Sequence, residues 1–377
     1  MPETLSKQQV VFGPGSLSRL PQLLEQYAFD SIFLVSGQNS FQQPSVQQHV
    51  PPLLTTVPSV RFFEFEKNPK LEDVEAGVAL YQTLKNPLVL AVGGGSVIDM
   101  AKLVYYFGQT QERVQTFFES KQKPQAAALP ATLVAVPTTA GTGSESTQFA
   151  TLYINKIKCS LDTPLVLPAL AIVDPELTGS LPAQSVAESG MDALTQAVES
   201  YWSIRATDES RELARKAVKL IAPNIEAAVL EGSLSARAAM SEGSNLAGQA
   251  IHITRTTAPH AISYPMTSFF GVAHGQAVSI SLPYFLVFNA GLKDTAVEKT
   301  LVEICEMLGC QSIEEAKAFW IGLMKRIGLK TTLAELGIQK QDWDVIIQHG
   351  FNPDRVKNNP RPLDEAQLRA LLSEFGG

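Results

Sequence analysis

Residues 91–102 read AVGGGSVIDMAK, and this stretch decides the fold. The apolar run just ahead of it, 87–92 (PLVLAV), has the length of a buried strand, and three glycines end it. SVIDMAK then opens a helix. Strand, glycine turn and helix, in that order, are the unit of a doubly wound α/β domain. Gly93, Gly94 and Gly95 let the backbone approach a ligand, and the free N–H groups of the new helix suit a pyrophosphate. Ser96 can cap the helix and donate to a phosphate oxygen, while Asp99, one turn in, can brace the loop. The pattern is neither G-x-G-x-x-G nor a Walker loop, so alone it also fits a plain tight turn.

Working outward, four more short apolar runs read as strands: 31–36 (SIFLVS), 60–65 (VRFFEF), 133–137 (LVAVP) and 169–173 (ALAIV). Helical stretches separate them, which predicts a mostly parallel sheet with helices on both faces. A second polar loop, 137–145 (PTTAGTGSE), follows one of these strands. Its hydroxyls at Thr138, Thr139, Thr142 and Ser144 can bond ribose, phosphate or base edges, or their own backbone. Ligands bind at the carboxyl ends of parallel strands, where both loops fall. Beyond Asp174 the texture turns helical. Ala193, Leu194, Ala197 and Val198 form one apolar stripe, and Leu213, Ala217, Leu220 and Ile221 another. The expected organisation is an α/β nucleotide-type domain over 1–174 and a helical domain over 175–377, with a small-molecule site in a cleft between them.

Composition supports this division and removes other classes. A chain of 377 residues exceeds one ordinary core. With 45% hydrophobic and 18% charged residues it is globular rather than disordered. A formal charge of −7 gives no footprint for nucleic acid and argues against docking on an anionic membrane. Cys159, Cys305 and Cys310 are too few and too irregularly spaced for a disulfide framework. No apolar run reaches the roughly 20 residues of a membrane helix, and residues 1–10 lack a leader's apolar core. A cytoplasmic location is expected.

Three of the five histidines, His252, His260 and His274, crowd into 251–275. Upstream, Asp192 and Gln196 are four apart in MDALTQAVES, hence on one helix face. An acid on one helix and histidines from others can ligate a divalent metal, although single histidines also serve as core or surface residues.

At this point a family resemblance enters. GGGSVIDMAK, PTTAGTGSE, DPELTGSLP, MDALTQAVESY and PHAISY…AHG together resemble the iron-containing (group III) alcohol dehydrogenases. The likeness runs from VVFGPGSL at 10–17 to NNPRPLDEAQLRALL at 358–372. It implies a Rossmann-like domain and an all-helical domain, an architecture shared with dehydroquinate synthases. It also implies NAD(P)-dependent interconversion of an alcohol and a carbonyl, with Fe2+ or Zn2+ between the domains. By motif, Asp192, Gln196, His260 and His274 take the metal-ligand positions. The family usually has histidine where Gln196 stands, and commonly a histidine where Tyr264 stands. A neutral amide oxygen is a poorer donor than imidazole, so Gln196 leaves both a metal-dependent and a metal-free enzyme open.

The family often ends the strand LVSG in an acid that binds the adenosine ribose. Here Gly37 occupies that place, followed by Gln38, Asn39 and Ser40. With no carboxylate to repel a 2′-phosphate, NADPH is acceptable, and the choice between NADPH and NADH stays open; Gly37, Asn39 and Lys158 join the cofactor set. Tyr264 or a water relay supplies the proton to the developing alkoxide, unless Tyr264 is only a pocket wall. Arg255 in TRTTAPHAISYP suits an anionic head group, and the stretch resembles the branch that reduces phosphonoacetaldehyde to 2-hydroxyethylphosphonate. A general aldehyde reductase and a non-catalytic NAD(P)-binding protein with a decayed site are the alternatives. A homodimer is the oligomer the family suggests.

Overall fold

The computed structural model describes residues 8–110, 112–120, 122–124 and 128–377. The chain divides into two units: one runs to Thr139 and takes up Gly143–Ser180, and the other holds Ala140–Thr142 and Leu181–Gly377. The change falls at Ser180 rather than Asp174 for a local reason. The Asp174 carboxylate accepts hydrogen bonds from the Gly15 N–H at 3.1 Å and the Leu17 N–H at 3.0 Å, which ties the start of the 175–178 turn to the segment that follows residue 12.

The first unit contains β1 (Gln9–Phe12), β2 (Ser31–Ser36), β3 (Ser59–Phe62), β4 (Pro87–Gly93), β5 (Leu133–Pro137), β6 (Phe149–Ile154), β7 (Ile157–Asp162) and β8 (Leu170–Val173). Six strands form one parallel sheet in the order β1-β8-β5-β4-β2-β3. Alternate residues feed two cores. Phe33, Val35, Val89, Ala91 and Ala135 pack with the Gly95–Phe107 helix on one face. Ile32, Leu34, Leu90 and Val134 pack with Val46 and Val50 on the other. Burial on both faces is why these strands read as unbroken apolar runs.

Three features depart from the sequence expectation. β3 stops at Phe62 because it is an edge strand, mostly half-buried. β1 is a strand of four residues that leaves Val10 and Phe12 exposed. β6 and β7 form a separate antiparallel hairpin. Asn155 at φ 49° and Lys156 at φ 64° make its two-residue turn, and positive φ at both positions is what such a turn demands.

The second unit is all-helical. The Ala183–Trp202 helix is buried on every side from Gly190 onward, so it is the central helix of the unit. It packs on the Asp208–Ile221, Leu234–Thr254 and His274–Ala290 helices. The last helix, Glu365–Phe375, is held by a reciprocal cap. Asp364 accepts from the Gln367 N–H at 2.8 Å, and Gln367 Oε1 accepts from the Asp364 N–H at 3.0 Å. Among the described residues, no helix is long and apolar enough to cross a membrane.

Candidate metal centre and nucleotide turn

Three helices of the second unit bring an acid and two histidines together. Asp192 and Gln196 lie one turn apart on the central helix. His260 sits in the first turn of the Ala258–Phe270 helix, and His274 begins the His274–Ala290 helix. Asp192 Oδ1 is 3.4 Å from His260 Nε2 and 3.9 Å from His274 Nε2. The three ligand atoms lie within 4.8 Å of one another. Gln196 hydrogen-bonds Asp192 through its side chain. Asp192 Oδ1, Gln196 Oε1 and His260 Nε2 are buried with no hydrogen-bond partner. Each orphaned group costs about 1–3 kcal/mol unless something satisfies it. A carboxylate, an amide oxygen and two imidazoles converging in this way fit a divalent cation, and the N/O ligand set suits Fe2+ or Zn2+.

Glu199, absent from the sequence reading, completes the centre. It is 0% exposed and follows Asp192 and Gln196 at the helical i, i+4, i+7 spacing, the signal that could have found it. Its Oε1 accepts from the Thr257 N–H at 3.1 Å, the Thr257 hydroxyl at 2.8 Å and the His260 N–H at 3.2 Å. Its Oε2 meets His260 Nδ1 directly. Trp202 Nε1 donates to the Thr257 hydroxyl at 2.9 Å, which fixes that group in turn. Holding Nδ1 aims Nε2 at Asp192, as outer carboxylates do for metal-binding histidines. Burial opposes charge on His260, but Glu199 and Asp192 outweigh it and lift the imidazole to about 10. Burial likewise raises Asp192, yet His274 and His260 hold its carboxyl below the usual range.

Tyr264 lies one turn beyond His260, and its ring stacks on His274 at 6.3 Å and 26°. Arg255 caps the Leu234–Thr254 helix at φ 65° and ψ 169°, a conformation that costs a non-glycine residue about 1–3 kcal/mol. Its Nη1 donates to the His252 carbonyl. The nearby Thr257 hydroxyl is engaged by Glu199.

The first unit assembles most of the expected nucleotide residues. Gly93 closes β4, and Gly94 caps the Gly95–Phe107 helix. A Cβ on Gly93 would meet Val97 at 2.6 Å, and one on Gly94 would meet Thr139 at 3.2 Å. The Thr138 N–H donates to the Gly93 carbonyl at 3.0 Å and ties the two loops together. Ser96 Oγ accepts from the Asn68 N–H at 3.3 Å. Asp99 braces the loops: it accepts from the Ser144 hydroxyl at 2.6 Å and the Thr151 N–H at 3.1 Å. The charge of Lys158, on β7, acts on Asp99. Thr142 belongs to the other unit. Gly37 and Asn39 follow β2, whose Ser36 pairs with Val92 of β4.

Lys102 is a second residue that the sequence reading passed over. Fully buried, its Nζ donates to the carbonyls of Ser144 at 2.6 Å, Thr147 at 2.7 Å and Phe149 at 2.8 Å. Burial pulls its pKa down to about 8 against the charges of Asp99 and Glu145. The unfolded lysine titrates near 10.5, so between pH 8 and 10.5 the unfolded chain holds the extra proton. Stability from this group therefore rises with pH across that window. Urea unfolding of wild type and Lys102→Met should show their difference climbing by up to about 3 kcal/mol from pH 8 to 10.5. A difference that stays flat would mean the buried ammonium keeps its proton.

Comparison with known proteins identifies the family. The iron-containing alcohol dehydrogenase family model matches residues 7–175, and the model for the C-terminal part of that family matches 186–375. Long-chain-alcohol dehydrogenase 1 of Geobacillus thermodenitrificans is 31% identical over 99% of this chain and 98% of its own length. The NADPH-dependent butanol dehydrogenase of Clostridium saccharobutylicum is 30% identical, covering 96% of this chain and 95% of its own. Among solved structures, sulfoacetaldehyde reductase from Bifidobacterium kashiwanohense in complex with NAD+ superposes with a TM-score of 0.88 at 27% identity, over 100% of this chain and 98% of the other. The chain belongs to the iron-containing alcohol dehydrogenase family and is an NAD(P)-dependent alcohol dehydrogenase or aldehyde reductase.

Proposed function

We propose that this enzyme reduces a small anionic aldehyde, best matched by phosphonoacetaldehyde, to the primary alcohol, with NADPH accepted as the reductant. The observation that carries the metal-assisted part is the orphaned set Asp192 Oδ1, Gln196 Oε1 and His260 Nε2. Asp192, Gln196, His260 and His274 would hold Fe2+ or Zn2+. A divalent ion there supplies Lewis-acid polarisation of the carbonyl oxygen, and the reduced nicotinamide supplies the hydride. Gly93, Gly94, Gly95, Ser96, Thr138 and Thr139 bind the dinucleotide. Glu199 keeps His260 oriented. Tyr264, stacked on His274, delivers a proton to the alkoxide oxygen.

Two points support an anionic substrate. Arg255 stands in strained backbone on the loop that leads into His260. The neighbour named sulfoacetaldehyde reductase acts on a two-carbon aldehyde bearing a tetrahedral anion, as a phosphonate does. A second reading, a general reductase of neutral aldehydes, is favoured by the bond from Arg255 to its own helix terminus and by the names of the alcohol dehydrogenase relatives.

Initial rates with phosphonoacetaldehyde, sulfoacetaldehyde and a neutral aldehyde of similar size separate the readings. The proposal expects kcat/KM at least tenfold higher for the anions. Arg255→Ala should then lose roughly 10- to 100-fold on the anions alone. Equal rates on all three would establish the general reductase. Nucleotide binding without hydride transfer would mark a decayed site. Full activity after exhaustive chelation would remove the metal from the mechanism.

A further inference from the structure

We propose that Arg61 is the residue that binds the 2′-phosphate of NADPH, and so sets the cofactor preference of this enzyme. The inference rests on the reading that the glycine turn holds a dinucleotide, and it deepens that reading.

The sheet order supplies the geometry. The pyrophosphate turn follows β4, and β2 is its neighbour, with Ser36 opposite Val92. By the general rule for dinucleotide folds, the adenosine ribose is met at the end of the strand beside the pyrophosphate turn, which here is Gly37, where no side chain stands. β3 is the next strand out, and Arg61 pairs there with Leu34. Its side chain runs back toward the end of β2, where Nε donates to the Ser36 hydroxyl at 2.8 Å. The guanidinium is thereby fixed one residue from Gly37.

The surroundings of Arg61 are unusual for a structural arginine. Its guanidinium carbon lies 3.7 Å from the centre of the Phe41 ring and 4.3 Å from that of Phe63. Two rings against the planar group, with Nε engaged by Ser36, leave the Nη edge as the part that can meet an anion. Half-buried, Arg61 makes its one hydrogen bond among the described residues to a neutral hydroxyl, and no carboxylate pairs with it. A held, planar cation without a counter-anion matches the bidentate geometry of a phosphate. Residues 37–40 (GQNS) contain no acid that would compete for it or repel the ligand. An Arg near the end of the second strand of the nucleotide motif is the general solution for a 2′-phosphate. Ring stacking lowers the entropy lost on binding, because the fork is oriented before the ligand arrives.

The other role for Arg61 is to clamp Phe41 and Phe63 so that the 37–41 turn keeps its shape. The two roles make different demands on the cofactor. A clamp serves NADH and NADPH alike, whereas a phosphate site serves only NADPH.

Titration calorimetry with NADPH, NADH and 2′,5′-ADP decides between them. Arg61→Gln should weaken NADPH and 2′,5′-ADP by roughly 10- to 100-fold and change NADH by less than about threefold. Arg61→Lys, which keeps the charge but not the fork, should fall between wild type and Arg61→Gln for the phosphorylated ligands. It also provides the comparison if the glutamine variant loses its fold. A parallel loss of NADH and NADPH would overturn the proposal in favour of the clamp, and so would unchanged NADPH affinity. Wild type that binds NADH tightly and ignores 2′,5′-ADP would overturn this inference alone. Wild type that binds neither dinucleotide would sink the nucleotide reading beneath it.

Discussion

Gly275→Ala should lose about 3 kcal/mol or more of folding stability and most of its bound metal together. Gly275 follows His274 at the start of its helix, and the site of its absent Cβ is filled. A methyl there would stand 1.9 Å from the Glu188 carbonyl oxygen and 2.6 Å from its carbon. Both obstacles are backbone of the central helix, so no rotamer change relieves them. The two helices must part, and interiors packed at crystal density resist that. The displacement falls next to the site, because Asp192 lies one turn beyond Glu188 and His274 adjoins the substituted residue. The 3.9 Å between Asp192 and His274 would widen. Denaturant unfolding and metal content, measured on one preparation, check both halves. A variant within 1 kcal/mol of wild type that carries its full complement of metal would disprove the expectation.

Asp192→Asn should lower kcat/KM by about a thousandfold while leaving dinucleotide affinity unchanged. The substitution keeps the volume and removes a carboxylate that faces both His260 and His274. An amide offers the cation a weaker donor and presents N–H groups that repel it. Loss of Lewis-acid assistance removes several kcal/mol of transition-state stabilisation, and each 1.36 kcal/mol is tenfold in rate. Gly93, Gly94, Gly95, Ser96, Thr138 and Thr139 lie in the other unit, so the binding constant for NADPH is the internal control. Rates within tenfold of wild type would mean that hydrogen bonds alone polarise the carbonyl.

What the sequence disclosed, and what it withheld, follows from burial. β2, β4, β5 and β8 were legible because both faces are covered and every residue is apolar or small. β1 hid because four residues with exposed Val10 and Phe12 carry no periodic signal. The β6–β7 hairpin hid because its turn is Asn155-Lys156 rather than Asn-Gly, with lysine in a conformation that glycine usually takes. In the site, Asp192 and Gln196 declared a common face by spacing, yet their distance from His260 and His274 is long-range and no local pattern encodes it. Only the resemblance joined them. Glu199 was missed although it continues the same face, since a lone glutamate on a helix normally reads as a solvated residue. Lys102 was missed for the same reason: its full burial depends on the carbonyls of a loop more than forty residues away.

The brace through Thr138, Asp99, Ser144 and Lys102 bears on how cofactor use can be redesigned. It welds the glycine turn, the hydroxyl loop and the start of β6 into a single module, so grafts that exchange one loop alone would break its cross-links. Residues 37–40 are tied to β4 by other bonds: the Gly37 N–H and the Ser40 hydroxyl both donate to the Val92 carbonyl, at 3.4 Å and 3.2 Å. A redesign at the proposed Arg61 site must therefore keep the two bonds to Val92, the residue that leads into the pyrophosphate cradle.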